Sequence, residues 1–167
     1  MRVLFLTTLL GLLAGAPAVQ AGKAHSHGEG RLDVVIEKDS IQLQLDLPLD
    51  AAAGFERAPK NDKEQAALAA AEKALNEAAS LFVPTAAAGC SVQSAQVTLP
   101  ALAKQGEHHA DITASYTFRC ATPAALKGIE TTIFRPFPRL YRLETQRAGP
   151  TGQGRQRLTP KAPIVTW

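Results

Sequence analysis

The sequence predicts an α+β fold: an antiparallel β-sheet covered by one long helix and tied by one disulfide. Three observations carry this. Several stretches alternate apolar and polar residues with a period of two, the signature of half-buried strands. One alanine-rich stretch repeats its apolar residues at helical spacing. The two cysteines, Cys90 and Cys120, lie in facing strand-like segments. No strand–helix–strand alternation of the parallel kind is visible.

The chain opens with an export signal. Arg2 supplies a basic start, Val3 to Leu13 is almost continuously apolar, and Val19-Gln20-Ala21 carries small residues at the −3 and −1 positions for cleavage after Ala21. The apolar run is too short to span a bilayer. Residues 1–21 are therefore expected to be a signal peptide, 22–30 a mobile histidine-containing segment, and 31–167 a single α+β domain in the periplasm. No cysteine follows the cleavage site to take a lipid anchor. The formal net charge of +3 includes Arg2 and is too small to argue for nucleic acid.

The first strand places Leu32, Val34 and Ile36 on one side, with Arg31, Asp33 and Glu37 opposite. After a tight turn at Lys38-Asp39, the second places Ile41, Leu43, Leu45 and Leu47 inward. Setting Ile36 against Ile41, Val34 against Leu43 and Leu32 against Leu45 puts every inward residue on one face. Pro48 ends the strand and 49–60 reads as a connection. Asn61, followed three residues later by Glu64, starts a helix. Leu68, Leu75 and Phe82 recur every seven residues, so the helix is expected to run to about Leu81 and to cover one face of the sheet. Pro84 prevents its continuation.

The central hairpin follows. Ile112, Ala114, Tyr116, Phe118 and Cys120 share one face. Cys90 falls opposite Cys120, and Val92 opposite Phe118. Beyond that the apolar phase of the first strand moves to Ala95, Val97 and Leu99, which match Tyr116, Ala114 and Ile112 only with one extra residue near Ser94. A β-bulge is expected there, and the turn falls at Lys104–Glu107. Two cysteines in an exported chain form one disulfide, and their spacing excludes CxxC redox chemistry. Then come a helical turn at Pro123–Gly128, strands at Ile129–Phe134, Leu140–Arg147 and Gln153–Leu158, and a C-terminal edge segment, Ile164–Trp167. Phe134 and Phe137, in a proline-flanked connection, are expected to plug the core.

The four histidines form two clusters. His25-Ser26-His27 lies just after the cleavage site, and His108-His109 lies near the hairpin tip between Glu107 and Asp111. An HxH pair in extended chain puts both rings on one side, a spacing that suits a metal ion. Imidazole with carboxylate suits Zn²⁺, Cu²⁺ or Ni²⁺. An amino-terminal copper site needs histidine as the third residue, and cleavage after Ala21 makes His25 the fourth. No nucleophile–base–acid signature or phosphate-binding glycine loop is visible, and HxH is not HExxH, so no enzymatic activity is expected. Arg135, Arg139, Arg142 and Arg147 read as a solvated face.

Several segments together resemble a known family: His25-Ser26-His27-Gly28 before a strand, Gly54-Phe55-Glu56-Arg57-Ala58-Pro59, Ala88-Gly89-Cys90, Ser115-Tyr116-Thr117-Phe118-Arg119-Cys120, Phe134-Arg135-Pro136-Phe137-Pro138 and the late Leu158-Thr159-Pro160. The whole exported chain resembles the ZrgA-like zinc-regulated periplasmic proteins. The resemblance implies a Zn²⁺-binding protein that assists zinc uptake alongside an ABC transporter and its solute-binding protein. In such proteins a long histidine- and aspartate-rich insertion separates the two cysteine-bearing strands. Here only Glu107-His108-His109-Ala110-Asp111 remains, and Arg57 stands where the family tends to have histidine. The metal ligands expected on these grounds are His25, His27, His108 and His109, with Glu107 and Asp111 as further candidates. The other readings are a metal-independent envelope interaction domain and a copper- or nickel-binding protein.

Overall fold

A computed structural model describes residues 27–101 and 110–167. The strand β1, Glu29–Ile36, turns into β2, Ser40–Pro48, in the expected register, with Leu32 facing Leu45 and Ile36 facing Ile41. Three helices follow: α1 at Leu49–Ala53, α2 at Asp62–Asn76 and α3 at Ala78–Leu81. Next come β3 at Phe82–Pro84, β4 at Cys90–Thr98, β5 at Asp111–Cys120 and β6 at Gly128–Thr131. The chain closes with β7 at Arg142–Gly149, β8 at Gly152–Leu158 and β9 at Ile164–Thr166.

These strands make a six-stranded sheet of order β4-β5-β2-β1-β7-β8 and a three-stranded sheet of order β3-β6-β9. The expected architecture is therefore corrected. The fold is mostly β, and among the described residues no long helix covers a sheet. Only α2 exceeds a turn or so, and it buries little more than Ala71 and Leu75. It packs against α1 and the edge strand β4 instead of lying across the sheet. The inner face of the large sheet shares its core with the small sheet, the short helices and the 132–141 connection. Leu43, Leu45, Ile112 and Tyr116 belong to one buried cluster with Phe82, Ile129, Ile133, Phe137 and Val165.

The long helix breaks because its carbonyls find other partners. The Asn76 side-chain amide donates to the Glu72 carbonyl at 2.9 Å, and the buried Tyr116 hydroxyl donates to the Leu75 carbonyl at 2.8 Å. Glu77 leaves helical geometry at φ −86°, ψ 56°, and Phe82 enters a strand instead of a third heptad position. The helix start is as expected: the Asn61 side chain accepts from the Glu64 N–H at 3.0 Å. The sheet is not wholly antiparallel either, since β1 pairs in parallel with β7. A parallel neighbour needs a long crossover, and here everything from β2 to β6 lies between the two strands.

The central hairpin follows its expected register. Cys90 faces Cys120 and joins it in a disulfide, Val92 faces Phe118, and the register shifts between Val92 and Ser94. The turn expected at Lys104–Glu107 lies outside the described residues. Phe134 and Phe137 are buried, as their proline-flanked setting suggests. Among the described residues no helix is long and apolar enough to cross a membrane.

Candidate metal centre

One cluster of potential metal ligands stands out among the described residues: His27, Asp50 and Glu56, whose ligand atoms lie within 4.8 Å of one another. The hairpin and the helix that follows it build this cluster. His27 lies two residues before β1 begins, and Asp50 lies in the first turn of α1, two residues after β2 ends. Carrying the β1–β2 register outward past Arg31 and Asp46 sets His27 against Asp50. His27 Nδ1 is 2.9 Å from Asp50 Oδ2 and 3.3 Å from Glu56 Oε1. The ring is 76% exposed, against 21% for the Asp50 side chain.

Glu56 arrives through a turn closed at both ends. Gly54 takes a left-handed φ of +90°, and its N–H returns to the Asp50 carbonyl at 2.9 Å, ending α1. Beyond Glu56, Arg57 forks onto Glu64 with contacts of 2.6 and 2.8 Å, and the Lys60 N–H joins the same carboxylate at 2.7 Å. The Arg57 bond, then that N–H, hold the Glu64 carboxyl down at about 2, so the clamp stays charged across the ordinary pH range.

The chemistry is that of a small open cation site. The Asp50 hydrogen bond, then the Glu56 charge, raise the His27 pKa above the ordinary imidazole value of 6.5. Asp50 turns one oxygen toward His27. The other, Oδ1, is buried and has no hydrogen-bond partner among the described residues. A buried carboxylate oxygen without a partner is costly, and a cation is one group that satisfies it. One imidazole nitrogen and two carboxylates match the borderline preferences of Zn²⁺, and three protein ligands leave a coordination position open.

Of the described residues expected from sequence, only His27 joins this cluster. Asp111 opens β5 opposite Pro48 and stands outside it. His25, Glu107, His108 and His109 lie outside the described residues. Ala110, next in sequence to His109, accepts a hydrogen bond from the Leu49 N–H at 2.8 Å, one residue before Asp50. Asp50 and Glu56 were missed because 49–60 reads as a plain connection. The signals were present: the hairpin register points from His27 to Asp50, and Glu56 lies inside the Gly54–Pro59 motif. Arg57, standing where the family tends to have histidine, is turned to Glu64 and anchors the loop.

A family model described as "ZrgA family zinc uptake protein" matches residues 24–167, which include all three residues of the cluster. The chain belongs to the ZrgA family of zinc uptake proteins. No curated protein matches it. Membership gives the chain a role related to zinc uptake.

Proposed function

We propose that this ZrgA-family member is a periplasmic, non-enzymatic accessory protein that captures Zn²⁺ and passes it on. His27, Asp50 and Glu56 form its defined binding site. The observation that carries this reading is the Asp50 carboxylate, one oxygen on His27 and the other buried without a partner among the described residues. The exposed ring and the open coordination position suit exchange more than permanent retention. Release to the solute-binding protein of a zinc ABC transporter is the step such a site would serve. His25, His108 and His109, with Glu107, are read on sequence grounds as additional capture groups, and the signal peptide as the export route.

Calorimetric titration of the mature protein with Zn²⁺ at neutral pH, with Cu²⁺ and Ni²⁺ as comparators, tests this. Saturable Zn²⁺ binding is expected, weakened roughly tenfold or more by His27→Ala or Asp50→Ala. A separate His108→Ala/His109→Ala variant measures what that pair adds. Zn²⁺ binding that ignores the His27 and Asp50 substitutions removes the site. Absence of any saturable binding moves the metal-independent interaction domain to first place.

A further inference from the structure

The ligands come from two chain segments, and a third segment that supplies no ligand touches both. Gly28, the neighbour of His27, has a φ of +69° and gives its carbonyl to the Tyr141 N–H at 3.0 Å. A Cβ on Gly28 would lie 2.6 Å from the Arg139 carbonyl oxygen and 2.8 Å from two carbons of the Tyr141 ring. Gly54, between Asp50 and Glu56, faces the side chain of the same Arg139. A Cβ there would lie 3.1 Å from Arg139 Cζ. The Tyr141 hydroxyl and the Arg142 guanidinium both hold the Glu29 carboxylate, fixing the chain two residues beyond His27.

We propose that Arg139 and Tyr141 are positioning residues for the zinc site, together forming a brace that holds His27 at its distance from Asp50 and Glu56. The inference rests on the zinc reading of that cluster. The His27 ring is mostly in solvent, so packing around the imidazole does not set its place. Its backbone does, and that backbone rests on Arg139 and Tyr141. On the carboxylate side the Arg139 guanidinium lies against the space a Gly54 side chain would fill. Both contacts use left-handed glycines, where a side chain would add strain as well as a clash. Groups outside the ligand set that orient a metal ligand commonly govern affinity by 10–100-fold.

Arg139 and Tyr141 are themselves exposed, so changing them leaves the core intact. The test compares Arg139→Ala, Tyr141→Ala and Gly28→Ala with the unaltered mature protein. Zn²⁺ affinity is measured by chelator competition, the Co²⁺ absorption spectrum serves as a probe of ligand geometry, and the apo-protein Tm reports on folding. The expected result is roughly tenfold or greater weakening of Zn²⁺ binding and an altered Co²⁺ spectrum, with the Arg139→Ala Tm little changed. Arg139→Lys, which keeps the backbone and a long cationic side chain, should recover part of the loss. Normal Zn²⁺ affinity in Arg139→Ala and Tyr141→Ala, while His27→Ala loses binding, overturns the brace and leaves the site standing. Loss of affinity that only tracks a falling Tm, with the Co²⁺ spectrum unchanged, also overturns it. Insensitivity to His27→Ala removes the site and the brace with it.

Discussion

At His27 a proton competes for the nitrogen that the proposed function gives to a metal ion. Its Nδ1 faces two carboxylates, which favour the imidazolium and raise its pKa above 6.5. Zn²⁺ needs the neutral ring, so metal and proton compete for one nitrogen. Zn²⁺ affinity should therefore begin to fall while the pH is still above 6.5, at the raised pKa, and not only below the ordinary imidazole value. For folding of the apo-protein the sign is opposite. Stability from the charged ring is fully present below 6.5 and is lost as pH rises through the folded-state pKa. An NMR titration of the His27 ring should give a pKa above 6.5, returning to about 6.5 in Asp50→Asn/Glu56→Gln. A value at or below 6.5 in the unaltered protein would show that the carboxylates do not act on the ring. His27 itself was legible from HxH spacing. Its partners lie farther along the chain, and only the hairpin register joins them to it.

Elements that alternate cleanly were readable, down to the register. The β1–β2 pairing, the Cys90–Cys120 juxtaposition and the bulge beside Ser94 all follow from which residues must share a buried face. The helix was over-extended because Leu68, Leu75 and Phe82 keep a heptad spacing that tertiary contacts override. The Tyr116 hydroxyl takes the Leu75 carbonyl, and Phe82 meets the Tyr116 ring at a tilt of 52°, with centroids 5.2 Å apart, instead of lying on a helix face. The small sheet was invisible because β3, β6 and β9 are too short to show a period. Gln156 shields the free edge of β9, donating to the Ile164 carbonyl at 2.6 Å and accepting from the Thr166 N–H at 3.3 Å. The disulfide gives this scale its prediction. It closes a loop of about 31 residues, worth roughly 3–4 kcal/mol in the chain-entropy picture. Urea unfolding of Cys90→Ala/Cys120→Ala should show a loss of about that size. Zn²⁺ affinity should not change, because the cysteines lie at the end of β5 opposite the one beside Pro48 and Leu49.

For the whole molecule the question is whether zinc is part of the fold or carried by it. A structural zinc site supplies folding energy, and chelators unfold proteins that depend on one. Here the described residues already share one buried cluster, spanning both sheets and all three α-helices, with a disulfide across the central hairpin. The candidate ligands sit at its margin, with the His27 ring mostly in solvent. A chelator should therefore leave the circular dichroism spectrum and a cooperative thermal transition in place. Adding Zn²⁺ should raise Tm by linkage alone. At free zinc about a hundred times Kd the gain is about 2.7 kcal/mol, or about 5–10 °C for a chain of this size. The His27→Ala protein should melt like the zinc-free protein and lose most of that rise. Unfolding in chelator would make zinc a structural ion and rule out a carrier that empties and refills. A chelator-resistant fold whose melting point climbs with free Zn²⁺, and does so only with His27 in place, is what a carrier of exchangeable zinc requires.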